Sequence, residues 1–398
     1  MRKKKIVWIC NFANTEVANI IGAADNLLAA PWITELIQIF RNKEEIELSI
    51  ISPNYYENKY RTFSLGNIKV YLYKYRFSFL PPKAYNLSLN YSVAKKNILS
   101  IINKIEPDLI HLHGSENPFY SISAIPLIDK YPVLISIQGF VFLSSKKKYN
   151  PVSNYIRWNR IRIEKKINTM GKYFTVGNDD AFKTVESFNN NATIFYNQYP
   201  TAKPLVTTED FPEKKYDIVY FARISRDKGI EDLIEALVKL KIKLPNIKVL
   251  VMGGGNSSYL KALYSTINNY GLKENIHFAG FQTNQQNLFK LAAQARVSVL
   301  PTYFDGIPGS IREAMIMKLP VVAYAVGGIP TLNDEKECIT LVEKNNINEL
   351  IEKIELVLNN KERTASLVKN AFEIVSRRYD NEEIYVNMIN IYKNILNC

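Results

Sequence analysis

Short apolar runs alternate along the chain with longer segments in which apolar residues recur every three or four positions. Runs such as 6–10 and 247–252 have the length of buried strands, whereas 229–243 has the period of an amphipathic helix. The pattern predicts strands at 6–10, 46–51, 68–73, 108–112, 133–137, 173–176, 193–196, 217–221, 247–252, 276–279, 297–300, 320–323 and 339–342. It predicts helices at 31–41, 89–105, 229–243, 256–270, 285–294, 309–317 and 347–359. The expected fold class is α/β, with two doubly wound Rossmann-like domains.

A domain boundary is visible near the middle of the chain. Residues 199–215 hold three prolines and have little apolar periodicity, as expected of a linker. We therefore predict an N-terminal domain over 1–200, a linker over 201–215 and a second domain over 216–363. The remaining helices, 364–398, are candidates for packing back against the N-terminal domain.

The composition is that of an ordinary globular protein. Of the 398 residues, 47% are hydrophobic and 22% are charged, which excludes a disordered or low-complexity chain. Cys10, Cys338 and Cys398 are far apart and have no metal or redox spacing, which indicates a reduced, cytoplasmic protein. The first apolar run is too short for a signal peptide, and no run is long enough to span a membrane.

The positive charge is concentrated in the first half. Residues 1–200 hold 26 Lys and Arg against 15 Asp and Glu, whereas 201–398 hold 25 against 23. No zinc-finger, basic-zipper or aromatic RNA-binding motif accompanies this charge, so nucleic acid is not an expected partner. An anionic partner of the N-terminal half is expected instead.

Two basic stretches are candidates for peripheral contact with an anionic membrane at the inner face of the cytoplasmic membrane. The first runs from Lys146 to Lys166 and holds Lys146, Lys147, Lys148, Arg157, Arg160, Arg162, Lys165 and Lys166, interleaved with Tyr155, Trp158 and Ile161. The second runs from Lys69 to Lys83 and alternates aromatic and basic residues. The alternatives are a solvated helix face for the first and a two-sided strand for the second.

The strongest chemical motif follows the strand at 297–300. It begins Asp305-Gly306-Ile307-Pro308-Gly309 and continues to Glu313 within a predicted helix. A glycine-rich turn between a parallel strand and a helix places backbone N–H groups and the positive helix end where α/β proteins bind anions. The two carboxylates, Asp305 and Glu313, suit the hydroxyls of a sugar or a ribose.

Two other turns resemble ligand-binding loops. Arg223 and Lys228 lie between a predicted strand and the helix at 229–243, where a guanidinium fork and an ammonium could clamp a diphosphate. The alternative is an exposed loop whose charges are only solvated. Gly327 and Gly328 follow a further strand in a turn suited to donating backbone amides, although such turns are common.

Together these residues resemble the retaining glycosyltransferases of family 4, the glycosyl transferases of group 1, which have the GT-B fold. The resemblance is strong over 217–343 and implies two Rossmann-like domains that face a central cleft. It implies that Arg223 and Lys228 bind the donor diphosphate, and that Glu313 accepts hydrogen bonds from the ribose. It also implies a donor-binding role for Asp305, Gly306, Ile307, Pro308, Gly309, Gly327 and Gly328. Such enzymes need no metal or other cofactor, because cationic side chains and a helix end replace the ion.

Two positions depart from the family pattern. Asp305 stands where the family usually has Glu, so its carboxylate is one methylene shorter. Ala222 replaces the usual glycine before Arg223.

The first half resembles the family more faintly, as expected of a domain that recognises the acceptor. His111 and His113 share one face of the predicted strand that precedes Gly114, and His113 lies nearer its carboxyl end. The resemblance implies an active-site role for His113, and the alternative is a hydrogen-bonded structural histidine. Gln138 and Gly139 follow the strand at 133–137 and are acceptor-side candidates.

The resulting hypothesis is a metal-independent, retaining hexosyltransferase. It would move a sugar from a nucleotide diphosphate sugar to a hydroxyl of a glycan or lipid-linked acceptor, in the biosynthesis of a cell-surface polysaccharide such as capsule or lipopolysaccharide. Two alternatives remain: a nucleotide-sugar epimerase of similar architecture, and a non-catalytic subunit that binds a nucleotide sugar.

Overall fold

The computed structural model describes residues 2–24, 31–79, 84, 89–143 and 151–397. The chain divides into two compact units, which we call the N-terminal unit (1–200 and 381–398) and the C-terminal unit (201–380). Among the described residues, no helix combines the length and the apolar content needed to cross a bilayer.

The N-terminal unit is built on a sheet with the strand order β3-β4-β2-β1-β5-β6-β7-β8. Its strands are β1 (Lys4–Ile9), β2 (Ile46–Pro53), β3 (Arg61–Leu65), β4 (Ile68–Tyr73), β5 (Leu109–His113), β6 (Val133–Ser136), β7 (Tyr173–Val176) and β8 (Thr193–Tyr196). Neighbouring strands are parallel except for β3 and β4. Strands β2, β4 and β3 lie on one side of β1, and strands β5 to β8 lie on its other side. The order of the sheet therefore reverses between β1 and β5, where α/β proteins commonly bind ligands.

Helices cover the N-terminal sheet. Those before the middle of the chain are α1 (Thr15–Ile21), α2 (Pro31–Phe40), α3 (Ser92–Ile105), α4 (Pro118–Ser121), α5 (Ala124–Leu127), α6 (Pro151–Met170) and α7 (Asp179–Phe188). Asn14 and Asn178 begin α1 and α7 by accepting hydrogen bonds from backbone amides. All five residues of β5 are buried, as expected of a central parallel strand.

The C-terminal unit contains an all-parallel sheet with the order β11-β10-β9-β12-β13-β14. Its strands are β9 (Tyr216–Phe221), β10 (Val249–Met252), β11 (Ile276–Gly280), β12 (Ala295–Leu300), β13 (Val321–Tyr324) and β14 (Thr340–Val342). Its helices are α8 (Ile230–Lys243), α9 (Ser257–Asn269), α10 (Gln285–Ala292), α11 (Gly309–Ile316), α12 (Ile347–Asn359) and α13 (Lys361–Arg378). Here the order reverses between β9 and β12, so the loops after these two strands meet at the switch point.

The last helix, α14 (Asn381–Leu396), belongs to the N-terminal unit. The ring of Tyr385 packs edge-on against Phe40 of α2, with ring centroids 4.8 Å apart. Trp8 of β1 donates its indole N–H to the Tyr392 hydroxyl at 2.8 Å. The final turns of the chain thus reach the buried centre of the N-terminal sheet.

The α/β class with two doubly wound sheets is confirmed, but the apolar pattern does not predict every element. Strand β3 is a mostly exposed edge strand that pairs with β4 across the turn at Gly66 and Asn67, so burial imposes little alternation on it. Helix α7, of which only Val185 is fully buried, is also absent from the predicted elements.

Candidate functional site

The loop between β9 and α8 carries Arg223 and Lys228. A short 3₁₀ turn, Arg226–Lys228, ends at Gly229, whose φ is 71°. A Cβ on Gly229 would lie 1.8 Å from the carbonyl oxygen of Pro301, so only glycine fits this approach. The tight contact brings the β9 loop against the loop that follows β12.

Lys228 and Asp305 form an ion pair at this contact. The Lys228 ammonium donates to Asp305 Oδ2, and both side chains are largely buried, with 18% and 22% of their surface exposed. Thr302, in the loop after β12, also connects the two loops. Its hydroxyl donates to the Asp227 carbonyl at 3.1 Å and lies 3.3 Å from Asp305 Oδ2. The Tyr303 amide also donates to the Asp227 carbonyl, at 2.9 Å. The two loops are therefore held in one fixed arrangement.

Arg223 is the more accessible of the two cations. Its guanidinium donates to Asp227 Oδ2 at 2.7 Å, and 66% of its side chain is exposed. Burial acts to raise the pKa of Asp227, but the Ser225 hydroxyl and the Arg223 guanidinium outweigh burial and lower that pKa. Asp227 is thus an anion, and any phosphate that binds Arg223 competes with it.

The glycine-rich turn after β12 leads into α11. Pro308 occupies the position before the helix, where no side chain of a described residue caps the first turn. A Cβ on Gly309 would meet no atom closer than the Arg312 guanidinium at 3.9 Å, so the backbone there is open. Such a helix end attracts an anion. Farther along α11, Glu313 Oε1 accepts a hydrogen bond from the Gln285 amide at 2.7 Å.

The Gly327–Gly328 turn packs on the Asp305–Gly306 loop. Gly327 has φ 53°, and a Cβ there would lie 1.8 Å from the Asp305 carbonyl oxygen. The Gly328 amide donates to the Gly306 carbonyl at 3.1 Å, and the Ile329 amide donates to Val326 at 3.1 Å. These two amides are used within the protein, so the turn shapes the loop that carries Asp305.

Asp232, in the first turn of α8, is a functional candidate that the sequence does not reveal. Its two carboxylate oxygens accept hydrogen bonds from the Tyr303 and Tyr324 hydroxyls, each at 2.5 Å. Tyr303 precedes Asp305, and Tyr324 ends the strand before Gly327. One buried carboxylate thus ties helix α8 to both loops, through contacts at sequence separations of 71 and 92 that no local motif signals.

In the N-terminal unit, His111 and His113 lie at the carboxyl end of β5 with their rings stacked 3.8 Å apart. His111 Nδ1 lies 2.7 Å from the Tyr392 hydroxyl, and Nε2 lies 2.7 Å from Ser136 Oγ. The Tyr392 oxygen also accepts from Trp8, so this hydroxyl links His111 to β1. Burial lowers the pKa of His111 to about 3, so this imidazole is neutral.

His113 is fully buried in the described structure. Its Nδ1 lies 3.5 Å from the Tyr199 hydroxyl, and its Nε2 has no hydrogen-bond partner among the described residues. Burial, with a smaller contribution from His111, lowers the pKa of His113 well below its usual value. The rings of Trp32 and Tyr199 are tilted relative to the His113 ring, with centroids 6.2 and 6.3 Å from it.

Other polar atoms near His113 are also buried and unsatisfied by the described residues. They are Ser115 Oγ, Glu116 Oε2 and Gln138 Nε2. Burial raises the pKa of Glu116, although the Tyr120 hydroxyl donates to its other oxygen at 3.2 Å. Gly139 borders open space, since a Cβ there would meet no atom within 4 Å. Unsatisfied buried groups are costly, so these atoms favour a polar ligand or water at the switch point of the N-terminal sheet.

The candidate residues therefore fall into two sets. The C-terminal unit brings together the loops of Lys228, Asp305 and Gly327, while the N-terminal unit holds His113, Gln138 and Gly139. Among the described residues, no three His, Cys, Asp or Glu side chains are placed to hold a metal ion.

Comparison with known families identifies the C-terminal part of the chain. Residues 206–374, which contain the Lys228–Asp305 site, match the model for "Glycosyl transferases group 1". The chain carries a glycosyl transferases group 1 domain. The recognition made from Arg223, Lys228 and the two glycine turns is thereby confirmed at the level of this family.

Individual relatives agree with the glycosyltransferase assignment. The chain is 25% identical over 290 residues to an uncharacterised glycosyltransferase of Methanocaldococcus jannaschii, with 67% of this chain and 68% of the relative covered. It is 24% identical over 335 residues to the Escherichia coli UDP-Gal:α-D-GlcNAc-diphosphoundecaprenol α-1,3-galactosyltransferase, with 79% and 84% covered. Among solved structures it resembles sucrose-phosphate synthase from Thermosynechococcus elongatus, with a TM-score of 0.81, 17% identity and 99% of each chain covered. The fold of this chain is GT-B, as in that solved structure.

Proposed function

We propose that this protein is a metal-independent, retaining glycosyltransferase of the hexosyltransferase type. It moves a sugar from a nucleotide diphosphate sugar to a hydroxyl of a glycan or lipid-linked acceptor. The observation that carries the proposal is the position of Lys228 and Asp305 at the switch point, between the loop of Arg223 and the first turn of α11. This arrangement offers two cations and a positive helix end to a diphosphate, next to a carboxylate suited to sugar hydroxyls.

The proposed chemistry needs stabilisation of a leaving diphosphate. As the bond between the sugar C1 and the phosphate oxygen breaks, negative charge develops on that oxygen, and Arg223 and Lys228 stabilise it. The acceptor oxygen bonds to C1 on the same face, and its proton passes to the departing phosphate oxygen. Configuration at C1 is retained without a covalent enzyme intermediate. Glu313 binds the ribose hydroxyls, and the Gly306–Gly309 backbone contacts the diphosphate.

The acceptor is assigned to the N-terminal unit. His113 remains neutral because burial lowers its pKa, so it exchanges a hydrogen bond with a sugar hydroxyl and contributes no charge. Gln138 and Gly139 lie at the end of the adjacent strand β6 and complete the acceptor side. The unsatisfied polar atoms around them support this assignment.

The biological setting is cell-surface polysaccharide biosynthesis, with the enzyme in the cytoplasm at the inner face of the membrane. The name of the Escherichia coli relative specifies a UDP-Gal donor and a diphosphoundecaprenol acceptor, which supports a nucleotide-sugar donor and a lipid-linked acceptor for this chain. Capsule and lipopolysaccharide are the polysaccharides we propose.

The donor is tested by thermal unfolding with UDP-, GDP-, ADP- and CMP-sugars, each with and without EDTA. We expect one nucleotide class to raise the melting temperature, with the same shift in EDTA. A shift that EDTA abolishes would contradict the metal-independent mechanism, and no shift with any donor would contradict donor binding.

The site is tested by Arg223→Ala and Lys228→Ala in a transfer assay with the donor so identified and a glycan or lipid-linked acceptor. Each should lower turnover at least about 100-fold, as does loss of a preorganised charge at a transition state. Arg226→Ala is the matched control, because Arg226 lies in the same loop, is also 66% exposed, and is paired with Glu231. Equal losses in all three variants would refute the assignment.

The same assay separates the alternatives. Product that forms only with acceptor supports transfer, and an anomeric configuration like that of the donor supports retention. An epimerised donor formed without acceptor would identify an epimerase. Donor binding without any turnover would identify a non-catalytic subunit.

A further inference from the structure

Helix α6 exposes aromatic and basic side chains on one face. Val152, Tyr155 and Trp158 are 42%, 43% and 57% exposed. They recur at helical spacing with Arg162, Lys165 and Lys166, which are also exposed. We call Val152, Tyr155, Trp158, Arg162, Lys165 and Lys166 the α6 face.

The α6 face carries only positive charge. Glu164 is the one acidic residue of α6, whose residues are all described, and it points inward, where it accepts hydrogen bonds from the Val141 and Phe142 amides. Arg157 and Arg160 also turn away, since they donate to the carbonyl oxygens of Val141 and Glu116 at 3.1 and 3.0 Å. Of the five basic residues of this helix, two thus donate to backbone carbonyls of the unit and three are exposed, although Lys165 also lies 5.5 Å from the centre of the Phe142 ring.

The aromatic and basic side chains of the α6 face are in contact. The rings of Tyr155 and Trp158 lie 5.7 Å apart, and the Arg162 guanidinium lies 5.7 Å from the centre of the Trp158 ring. A large indole exposed to water loses burial energy, whereas at a bilayer interface the ring enters the headgroup layer while arginine and lysine remain at the phosphates.

The second basic stretch is mixed in its exposure. Tyr73 and Tyr75 are buried in the core of the N-terminal unit, as expected of a two-sided strand, whereas Phe79 is 78% exposed. Lys83 and the lysines Lys146, Lys147 and Lys148 lie outside the described residues.

We propose that the α6 face docks the N-terminal unit on an anionic lipid bilayer. Val152 and the two aromatic rings enter the interface, and Arg162, Lys165 and Lys166 bind lipid phosphates. A nucleic acid fits less well, because it would leave the apolar Val152 unpartnered. The purpose of docking, which is to bring the enzyme to a lipid-linked acceptor, rests on the proposed function. Binding to vesicles does not, because it is measurable without any sugar transfer.

The test is sedimentation of the full chain with vesicles of phosphatidylglycerol and phosphatidylcholine in equal parts, and with phosphatidylcholine alone. We expect binding to the anionic vesicles at physiological ionic strength and weaker binding at high salt. The triple variant Arg162→Gln, Lys165→Gln, Lys166→Gln should bind about 100-fold more weakly, because each basic residue near an anionic surface contributes about fivefold. Trp158→Ala should weaken binding to the anionic vesicles without changing its salt dependence.

The matched control is Lys261→Gln, Lys273→Gln, Lys290→Gln, which removes the same charge from exposed positions of the C-terminal unit. It should bind vesicles as the wild type does. Equal weakening in both triple variants, or no binding by the wild type, would overturn the proposal, as would binding to heparin without binding to vesicles.

Transfer to a water-soluble acceptor distinguishes this proposal from the proposed function. The α6 triple variant should retain wild-type turnover with that acceptor and lose it only with a vesicle-bound acceptor. Vesicle binding by a protein that transfers no sugar would leave the docking surface intact and refute the enzyme assignment alone.

Discussion

Lys228 and Asp305, which are 77 positions apart in the chain, form an ion pair where the loops after β9 and β12 meet. The two most informative motifs of the sequence are therefore in direct contact. Before a donor binds, the ammonium proposed to hold the diphosphate is already partnered by a carboxylate. Arg223 is partnered in the same way by Asp227. A donor diphosphate must compete with two aspartates.

This competition predicts that Asp305→Asn binds nucleoside diphosphate more tightly. Removing the carboxylate frees Lys228, and we expect the dissociation constant of the diphosphate chosen by the donor panel to fall about fivefold, as for loss of an ion pair worth about 1 kcal/mol. Turnover should fall, because Asp305 is proposed to contact the transferred sugar. Isothermal titration calorimetry measures the binding, and Glu231→Gln, which releases Arg226 instead, is the control. Weaker binding by Asp305→Asn would show that the pair holds Lys228 in place rather than competing for it.

Gly327→Ala should weaken donor binding, and by more than the strain of a positive φ at alanine would cause. The new Cβ would collide with the Asp305 carbonyl, so we expect donor affinity to fall by about tenfold or more as that loop shifts. Gly271→Ala is a matched control, since Gly271 also has positive φ, 65°, but a Cβ there meets nothing within 4 Å. That control should lose about 1 kcal/mol of stability and keep its donor affinity. Similar donor binding by both variants would refute the steric argument.

Asp232→Asn should destabilise the C-terminal unit and weaken donor binding. An amide has only one acceptor oxygen for the two tyrosine hydroxyls, so the unfolding free energy should fall by about 2 kcal/mol. Tyr324→Phe removes one of the two hydrogen bonds and should have a smaller effect. Thermal unfolding followed by circular dichroism gives the stability, and Glu235→Gln, on the exposed side of α8, is the control. An unchanged donor dissociation constant in Asp232→Asn would show that this carboxylate is only structural.

Glu164 should make the N-terminal unit less stable as the pH rises through neutrality. Burial raises the pKa of Glu164 to about 7, although the Val141 and Phe142 amides act to lower it. Since the folded state binds this proton more tightly than the unfolded state, the stabilisation is complete below about pH 4.5 and is lost as the pH rises to about 7, by about 3 kcal/mol in all.

The measurement is urea unfolding followed by tryptophan fluorescence from pH 5 to 8. All three tryptophans, Trp8, Trp32 and Trp158, lie in the N-terminal unit, so the signal reports on that unit. The advantage in unfolding free energy of the wild type over Glu164→Gln should shrink as the pH rises from 5 to about 7. Below about pH 6.5 the lowered pKa values of His111 and His113 act in the opposite direction, because only the unfolded state takes up their protons. A wild-type profile unchanged by Glu164→Gln would contradict the assignment.

The sequence by itself determined the α/β class and most of the strands, and it predicts which turns and charged residues form the candidate donor site. Apolar runs and glycine turns follow from local backbone preferences and from burial on both faces of a parallel strand, and both are visible in consecutive residues. Strand β3 was not predicted because it buries little apolar surface, and burial is what produces a readable apolar pattern.

Only the tertiary structure decided which charged groups pair and which polar groups are buried. The sequence contains Lys228, Asp305 and Asp232, but their contacts arise from strand order, which places β9 beside β12 although α8, β10 and β11 intervene in the chain. Likewise, α14 brings the Tyr392 hydroxyl within hydrogen-bond distance of the buried His111 ring across 281 positions. Such contacts depend on how the sheet is ordered and on which helix covers it, and no periodicity or spacing along the chain encodes that order.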